Sequence, residues 1–202
     1  MSGTNIGLEK HGMSLENSLK HIEKLGTRKW VGYSFTWIAS IYARAQKGDS
    51  AVVNLKKFAT NFVSPNSFHL NGDQKGGQYS DFTYRPFVLD GNFSFAQGIH
   101  EMLLQSHKSF IEVFPALPAD WKNVSFKTLR AEGAFLISAK KENGVAMEVK
   151  IRSEAGGILR IKLPFKTWIN TGIDRSNIKI ANGIAEMKTS KGQTIIFKNA
   201  FE

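Results

Sequence analysis

The run Arg85-Pro86-Phe87-Val88-Leu89-Asp90-Gly91-Asn92-Phe93 sets an aspartate and an asparagine on either side of a glycine, just before a helical apolar period begins. A carboxylate in such a place can take a proton or orient a water, and a residue without a Cβ lets a ligand approach the backbone. The same three residues also make ordinary capping and turn chemistry, so their types and spacing leave both readings open. A second group lies in the stretch before it. His69, Asn71 and Asp73 alternate, and an extended backbone would put them on one side, as a metal or sugar contact requires; a solvated loop is the plainer alternative. His100 and His107 are seven positions apart, on one helical face, too distant for a shared metal and suited to buried hydrogen bonds. Glu101 between them reads as a helix residue. Trp30, Trp37, Trp121 and Trp168 offer faces that complement the C–H faces of sugar rings, but core packing accounts for each equally well.

Helices must position these groups in the first half. Phe35, Ile38, Ala39 and Tyr42 recur at helical spacing after Ser34, a candidate cap, while Trp37 and Ile41 add apolar bulk on a second face, so this helix is expected to be buried nearly all round. Gly48-Asp49-Ser50 is a stop and restart, after which Leu55, Phe58, Ala59 and Phe62 form one stripe ending near Pro65. Ala96, Ile99, Met102, Leu103 and Ser106 mark a further helix with Asn92 or Ser94 as cap, Gln97 standing three residues after Ser94 as in a capping box. A weaker helix spans Leu15, Leu19 and Ile22. Between Ser64 and Gly91 no period is sustained. Loops that long are usually functional or disordered, and the interspersed Phe68, Leu70, Tyr79, Phe82, Tyr84 and Phe87 argue for order, hence for a site-forming loop.

From Ile111 the pattern changes to short β-type runs: Ile111–Phe114, Val124–Ala131, Ala134–Ala139, Val145–Ile151, Ile158–Leu163, Ile178–Ala181, Ile184–Met187 and Thr194–Lys198. Turn signals such as Asn143-Gly144, Gly156-Gly157, Asn182-Gly183 and Lys191-Gly192 separate most of them, which implies an antiparallel sandwich. Pro115 and Pro118 prevent either regular structure from running through. The expected fold class is α+β, with a helical region over residues 1–112 and a β-sandwich over 113–202.

The 202 residues carry a formal net charge of +10, which raises the question of nucleic acid. From Asp120 onward 15 Lys and Arg face 8 Asp and Glu, and there the basic residues alternate with apolar ones, as in Lys150-Ile151-Arg152 and Leu159-Arg160-Ile161-Lys162-Leu163. That places them on the outer face of half-buried strands, and no base-stacking aromatic run or recognition helix accompanies them, so no nucleic-acid partner is expected. The absence of cysteine excludes disulfides, thiolate metal sites and cysteine nucleophiles. Met1-Ser2-Gly3-Thr4-Asn5 has neither the basic nor the apolar segment of a signal peptide, and no apolar run reaches the length of a membrane span, so no membrane association is expected.

Taken together, several of these segments resemble glycoside hydrolase family 95, the α-L-fucosidase family. Phe87-Val88-Leu89-Asp90-Gly91-Asn92-Phe93 followed by Gly98-Ile99-His100-Glu101-Met102-Leu103-Leu104-Gln105-Ser106-His107 is similar to its signature, in which Asp-Gly-Asn precedes a helix ending in Gln-Ser-His. Phe114-Pro115-Ala116-Leu117-Pro118 with Trp121, and Leu129-Arg130-Ala131-Glu132-Gly133-Ala134-Phe135, resemble the family's passage out of its barrel into a C-terminal β-domain. Gly32-Tyr33-Ser34-Phe35-Thr36-Trp37 with Ala43-Arg44 resembles a later barrel helix. The resemblance implies the C-terminal helices of an (α/α)6 six-hairpin barrel plus the β-domain, and inverting hydrolysis of a terminal α-linked sugar, typically L-fucose, with no cofactor and no metal. Inversion requires a general acid and a base-activated water on the opposite face of the sugar. By resemblance Asp90 takes the base-side role, polarising asparagines that hold the water, and Asn92 is a neighbouring site residue. The general acid and the paired asparagines belong to earlier parts of the barrel, and residues 1–30 contain no match to them. Where relatives commonly carry a histidine and two prolines, this chain has Tyr84-Arg85-Pro86, which puts the sugar in question and makes Tyr84 and Arg85, with His69 and Asn71, candidate substrate contacts.

Three function classes follow from the sequence. The first is part of a glycoside hydrolase, inactive as this chain alone; the second a non-catalytic carbohydrate-binding domain; the third a structural accessory domain. Helices apolar on two faces cannot close a barrel by themselves, so the chain is expected to expose a hydrophobic face that the rest of the hydrolase or a second copy covers. Complete family members are often periplasmic or extracellular.

Overall fold

The computed structural model describes residues 8–200, which form two compact units. The helical unit reaches to Met102 and takes back Ala116–Pro118; the β unit comprises Leu103–Pro115 and the chain from Ala119.

In the helical unit the elements are α1 (Leu8–Leu25), α2 (Gly32–Arg44), α3 (Gly48–Asn61) and α4 (Asp90–Leu103). The stripe Phe35, Ile38, Ala39 and Tyr42 on α2 is buried, and it meets Leu55 and Phe58 of α3 and Phe62 just beyond it. Phe35 is the centre: its ring lies 4.9 Å from Phe62, 5.1 Å from Trp30 and 6.2 Å from Tyr79. Each phenylalanine wholly removed from water contributes about 1.5–3 kcal/mol, so this cluster fixes α2 against α3. Three expectations for the helix ends and faces need correction. α2 begins at Gly32, with Val31 before it and no side-chain cap, so Ser34 lies inside the first turn. α4 begins at Asp90, which places Asn92 and Ser94 within the helix instead of at its cap. α2 is also not buried all round, because Tyr33 and Trp37 on its second face are open to solvent.

The segment between Phe62 and Leu89 has no helix or extended ladder, only isolated bridges Val63↔His69 and Leu70↔Phe87. It is nonetheless ordered, because the buried Asp73 accepts from the backbone N–H groups of Tyr79 (2.7 Å) and Lys75 (2.8 Å) and from Asn61 Nδ2 (3.1 Å). Those bonds satisfy donors that a loop without a ladder would otherwise bury unpaired. Arg28 forms an ion pair with Asp81, tying the same loop to the segment before α2.

In the β unit the strands are β1 (Leu104–Gln105), β2 (Ile111–Val113), β3 (Val124–Ala131), β4 (Phe135–Glu142), β5 (Val145–Ser153), β6 (Gly157–Lys162), β7 (Trp168–Thr171), β8 (Lys179–Ala181), β9 (Ile184–Thr189) and β10 (Thr194–Asn199). They make two five-stranded sheets, ordered β1-β2-β6-β9-β8 and β3-β4-β5-β10-β7. All pairs are antiparallel except β2 with β6. The sequence reading counts residues up to 112 with the helices; the hydrogen bonds put Leu104–Gln105 and Ile111–Val113 in a sheet. Phe135, Ile137, Val149, Ile151, Leu159, Ile161 and Phe197 face inward, and the alternating Lys150, Arg152, Arg160 and Lys162 face out, as period-two burial requires. Asn143 and Gly144 at φ 49° and 84°, and Asn182 and Gly183 at φ 51° and 74°, form the two-residue turns that the sequence signals.

Candidate active site

Asp90 is the first residue of α4, and its carboxylate does two things at once. Oδ1 accepts from Gly91 N–H at 2.7 Å, satisfying one of the free donors of the helix start, and lies 3.0 Å from His69 Nδ1. Among the described residues Oδ2 has no hydrogen-bond partner, and the side chain is 54% exposed. The same side chain therefore bonds the first turn of α4 and lines a cleft. That cleft, about 510 Å³, runs between the open faces of α2 and α4 and has Tyr33, Trp37, Arg44, Asp90, Phe93 and Glu101 among its walls.

His69 is wholly buried behind Asp90. Its ring stands 5.1 Å from that of Phe58 and is clasped between Gly32 and Gly91, where a Cβ on either glycine would run into the imidazole. Burial holds the imidazole pKa below its ordinary value, with the Asp90 hydrogen bond and charge pulling the other way. A neutral ring carries one proton. Nε2 has no partner and faces Gly32, while Nδ1 accepts from the Gly91 N–H at 3.3 Å and lies beside the Asp90 carboxylate. The depressed pKa also sets a sign. Below about 6.5 the unfolded chain binds a proton that the folded chain refuses, so this stabilisation is complete above that value and fades as pH falls through it. Gly32→Ala or Gly91→Ala is expected to cost about 1–3 kcal/mol by overpacking His69, read as a lower denaturant midpoint at unchanged slope.

The remaining groups take different places. Asn92 Oδ1 accepts from His69 N–H at 2.9 Å and its Nδ2 donates to the Ser67 carbonyl at 2.8 Å, so it staples the loop to α4. Asn71 Nδ2 reaches the Tyr84 hydroxyl at 3.4 Å, and Tyr84 and Arg85 are exposed on the strap that leads into α4. The structure joins His69, Asp90 and Asn92; it does not bring Asn71, Tyr84 or Arg85 into the lining of the Asp90 cleft. No group of three or more His, Cys, Asp or Glu is placed to hold a metal among the described residues.

The family model described as the glycosyl hydrolase family 95 catalytic domain matches residues 3–103, and that of the family 95 C-terminal domain matches residues 105–197. This chain belongs to glycoside hydrolase family 95. Alpha-L-fucosidase 2 of Arabidopsis thaliana is 38% identical over 127 residues, which cover 61% of this chain and 14% of that protein. The chain thus spans about one seventh of the length of that relative. The catalytic-domain match ends where α4 does, so it contains every residue that lines the Asp90 cleft.

Several wall residues of this family 95 cleft escape a reading by motif. Tyr33, Trp37 and Arg44 lie on one stripe of α2, and Phe93, Gln97 and Glu101 on one stripe of α4. Apolar residues on two faces of α2 signal burial on both, and only packing shows that one face stays open, with Trp37 47% exposed and Phe93 70%. Glu101 is more than a helix residue: it is buried, pairs with Arg44 at 2.7 Å and accepts from Gln97 Nε2 at 2.8 Å. It still cannot be the acid partner of Asp90. Eleven positions along α4 separate them by about 16 Å, against the roughly 6.5–9.5 Å that an inverting pair spans. His107 lies beyond the end of α4, so it shares no helical face with His100.

Proposed function

We propose that Asp90 supplies the base side of an inverting glycosidase site that releases terminal α-linked L-fucose or a related sugar from a glycan, in an active site completed by residues outside this chain. One observation carries the reading: an aspartate whose first oxygen is held by a backbone N–H beside a buried imidazole, and whose second oxygen has no partner among the described residues, lines a cleft together with Trp37, Tyr33 and Phe93. A carboxylate held on one oxygen and open on the other is suited to orienting a water or a water-bearing amide. The name of the Arabidopsis relative agrees with L-fucose as the sugar. His69 and Asn92 act through Asp90 as positioning residues, and Tyr84, Arg85 and Asn71 contribute from the loop beside the cleft if a longer glycan extends there.

The general acid and the water-holding asparagines come from earlier barrel helices, and those helices also cover the open faces of α2 and α4. The 202-residue chain alone therefore releases no L-fucose from an α-fucosylated oligosaccharide, whereas a polypeptide containing the full barrel does. L-Fucose release by the chain alone would overturn the assignment of the acid to another segment. Binding of the glycan without turnover, even in the full barrel, would favour a carbohydrate-binding domain, and neither binding nor turnover a structural one.

A further inference from the structure

A second cavity, about 400 Å³, opens between α1, α2 and α3, with Tyr42 in its lining. Tyr42 lies about 140° around α2 from Trp37, so this cavity sits on a different side of the helix from the Asp90 cleft. Its lining combines one aromatic wall, Trp30, with polar groups from three elements. The buried Tyr42 hydroxyl donates to Glu23 Oε1 at 2.6 Å, which leaves its oxygen free to accept. Asn54 is 9% exposed and its Nδ2 is spent on the Ser50 carbonyl at 2.9 Å, while its Oδ1 has no partner. An amide oxygen in the lining can accept from a hydroxyl of a molecule in the cavity.

The charges narrow the ligand. Glu23 and Asp49 disfavour an anion, and Lys57, whose Nζ stands 5.3 Å from the Tyr79 ring centre, disfavours a cation. Acceptors on one wall, a flat aromatic on another and apolar Val53 at the rim fit a molecule that both donates and accepts through hydroxyls and has an apolar C–H face. We propose that this cavity is a second, non-catalytic binding site for a neutral pyranose sugar, which holds a glycan on the enzyme away from the Asp90 cleft. The sugar class rests on the lining, and only the choice of L-fucose as first probe rests on the hydrolase reading.

The test is a titration of the full 202-residue chain with L-fucose, D-galactose and D-glucose, following the indole N–H resonances of Trp30 and Trp37 separately. At least one sugar is expected to shift Trp30 with a dissociation constant on the order of millimolar. Val53→Arg, on an exposed helix position that tolerates arginine, is expected to abolish that shift, and Tyr42→Phe with Glu23→Gln to weaken it about tenfold, both at native circular dichroism. Asp90→Asn leaves the Trp30 shift unchanged. Shifts at Trp37 alone, or at Trp30 but insensitive to Val53→Arg, overturn this inference and leave the Asp90 reading standing. Shifts at Trp30 alone support it and leave the Asp90 reading, whose site needs residues outside this chain, to the kinetics of the full barrel. Choline shifting Trp30 where no sugar does would overturn the neutral-sugar assignment.

Discussion

Asp90→Asn is expected to lower turnover of an α-L-fucoside by about 10³-fold in a polypeptide carrying the complete barrel, within the range of roughly 10² to 10⁴ that a positioned general base supplies. The substitution keeps the size of the side chain and an acceptor oxygen, so the Gly91 N–H retains its partner and His69 Nδ1 a polar neighbour. What it removes is the negative charge facing the cleft. Melting temperature should therefore stay within a degree or two of the parent while kcat collapses, and KM should change little. Steady-state kinetics beside a thermal melt separate the two effects. A variant that keeps kcat within a few-fold of the parent would show that Asp90 only caps α4.

Asp73→Ala should be the most damaging single change to the frame of the site. Three donors converge on this buried carboxylate, the backbone N–H groups of Lys75 and Tyr79, which lose their partner at once, and the amide of Asn61, which keeps only Gln78 Oε1. Leaving buried donors unsatisfied costs about 1–3 kcal/mol apiece, so the helical unit should lose several kcal/mol. Hydrogen exchange should then show opened amides across the loop that carries His69, and the His69–Asp90 contact should loosen with it. The parent carries a matching pH signature. Burial alone would raise the Asp73 pKa, but the hydrogen bonds from Tyr79, Lys75 and Asn61 outweigh it and hold it below the ordinary 3.8. A carboxyl with a depressed folded pKa stabilises fully above its unfolded value and loses that contribution as pH falls through the folded one. The alanine variant should accordingly lose less stability than the parent between neutral pH and pH values below about 4. Unchanged exchange in the loop, with an unchanged acid limb, would rule Asp73 out as its organiser.

Strand alternation, hairpin turns and the core stripe of α2 came through from local chemistry, whereas the helix caps read at Ser34 and at Asn92 or Ser94 did not. Period-two alternation marked strands such as Val145–Ser153 and set Lys150 and Arg152 outward, and Asn143-Gly144 and Asn182-Gly183 adopt the positive φ that their hairpins need. The stripe from Phe35 to Tyr42 found its partner in α3. That a helix follows Asp90-Gly91-Asn92 was legible from a few adjacent residues, but its start lies at Asp90 and not at Asn92 or Ser94. The edge strand Trp168–Thr171 carries too little alternation to announce itself. The parallel pairing of β2 with β6 is a non-local choice that no local pattern encodes.

By itself, then, the sequence determined the division into helices and strands, the outward face of the basic strands and the candidate aspartate, since each depends on neighbours one to four positions away. Only the tertiary structure decided that His69 is a buried clasp for Asp90 and not a free ligand, that Glu101 pairs with Arg44, and that one apolar face of α2 is a wall of the cleft. Those facts depend on contacts between residues about twenty to sixty positions apart, and whether an apolar side chain is covered or left open is a property of its neighbours in space.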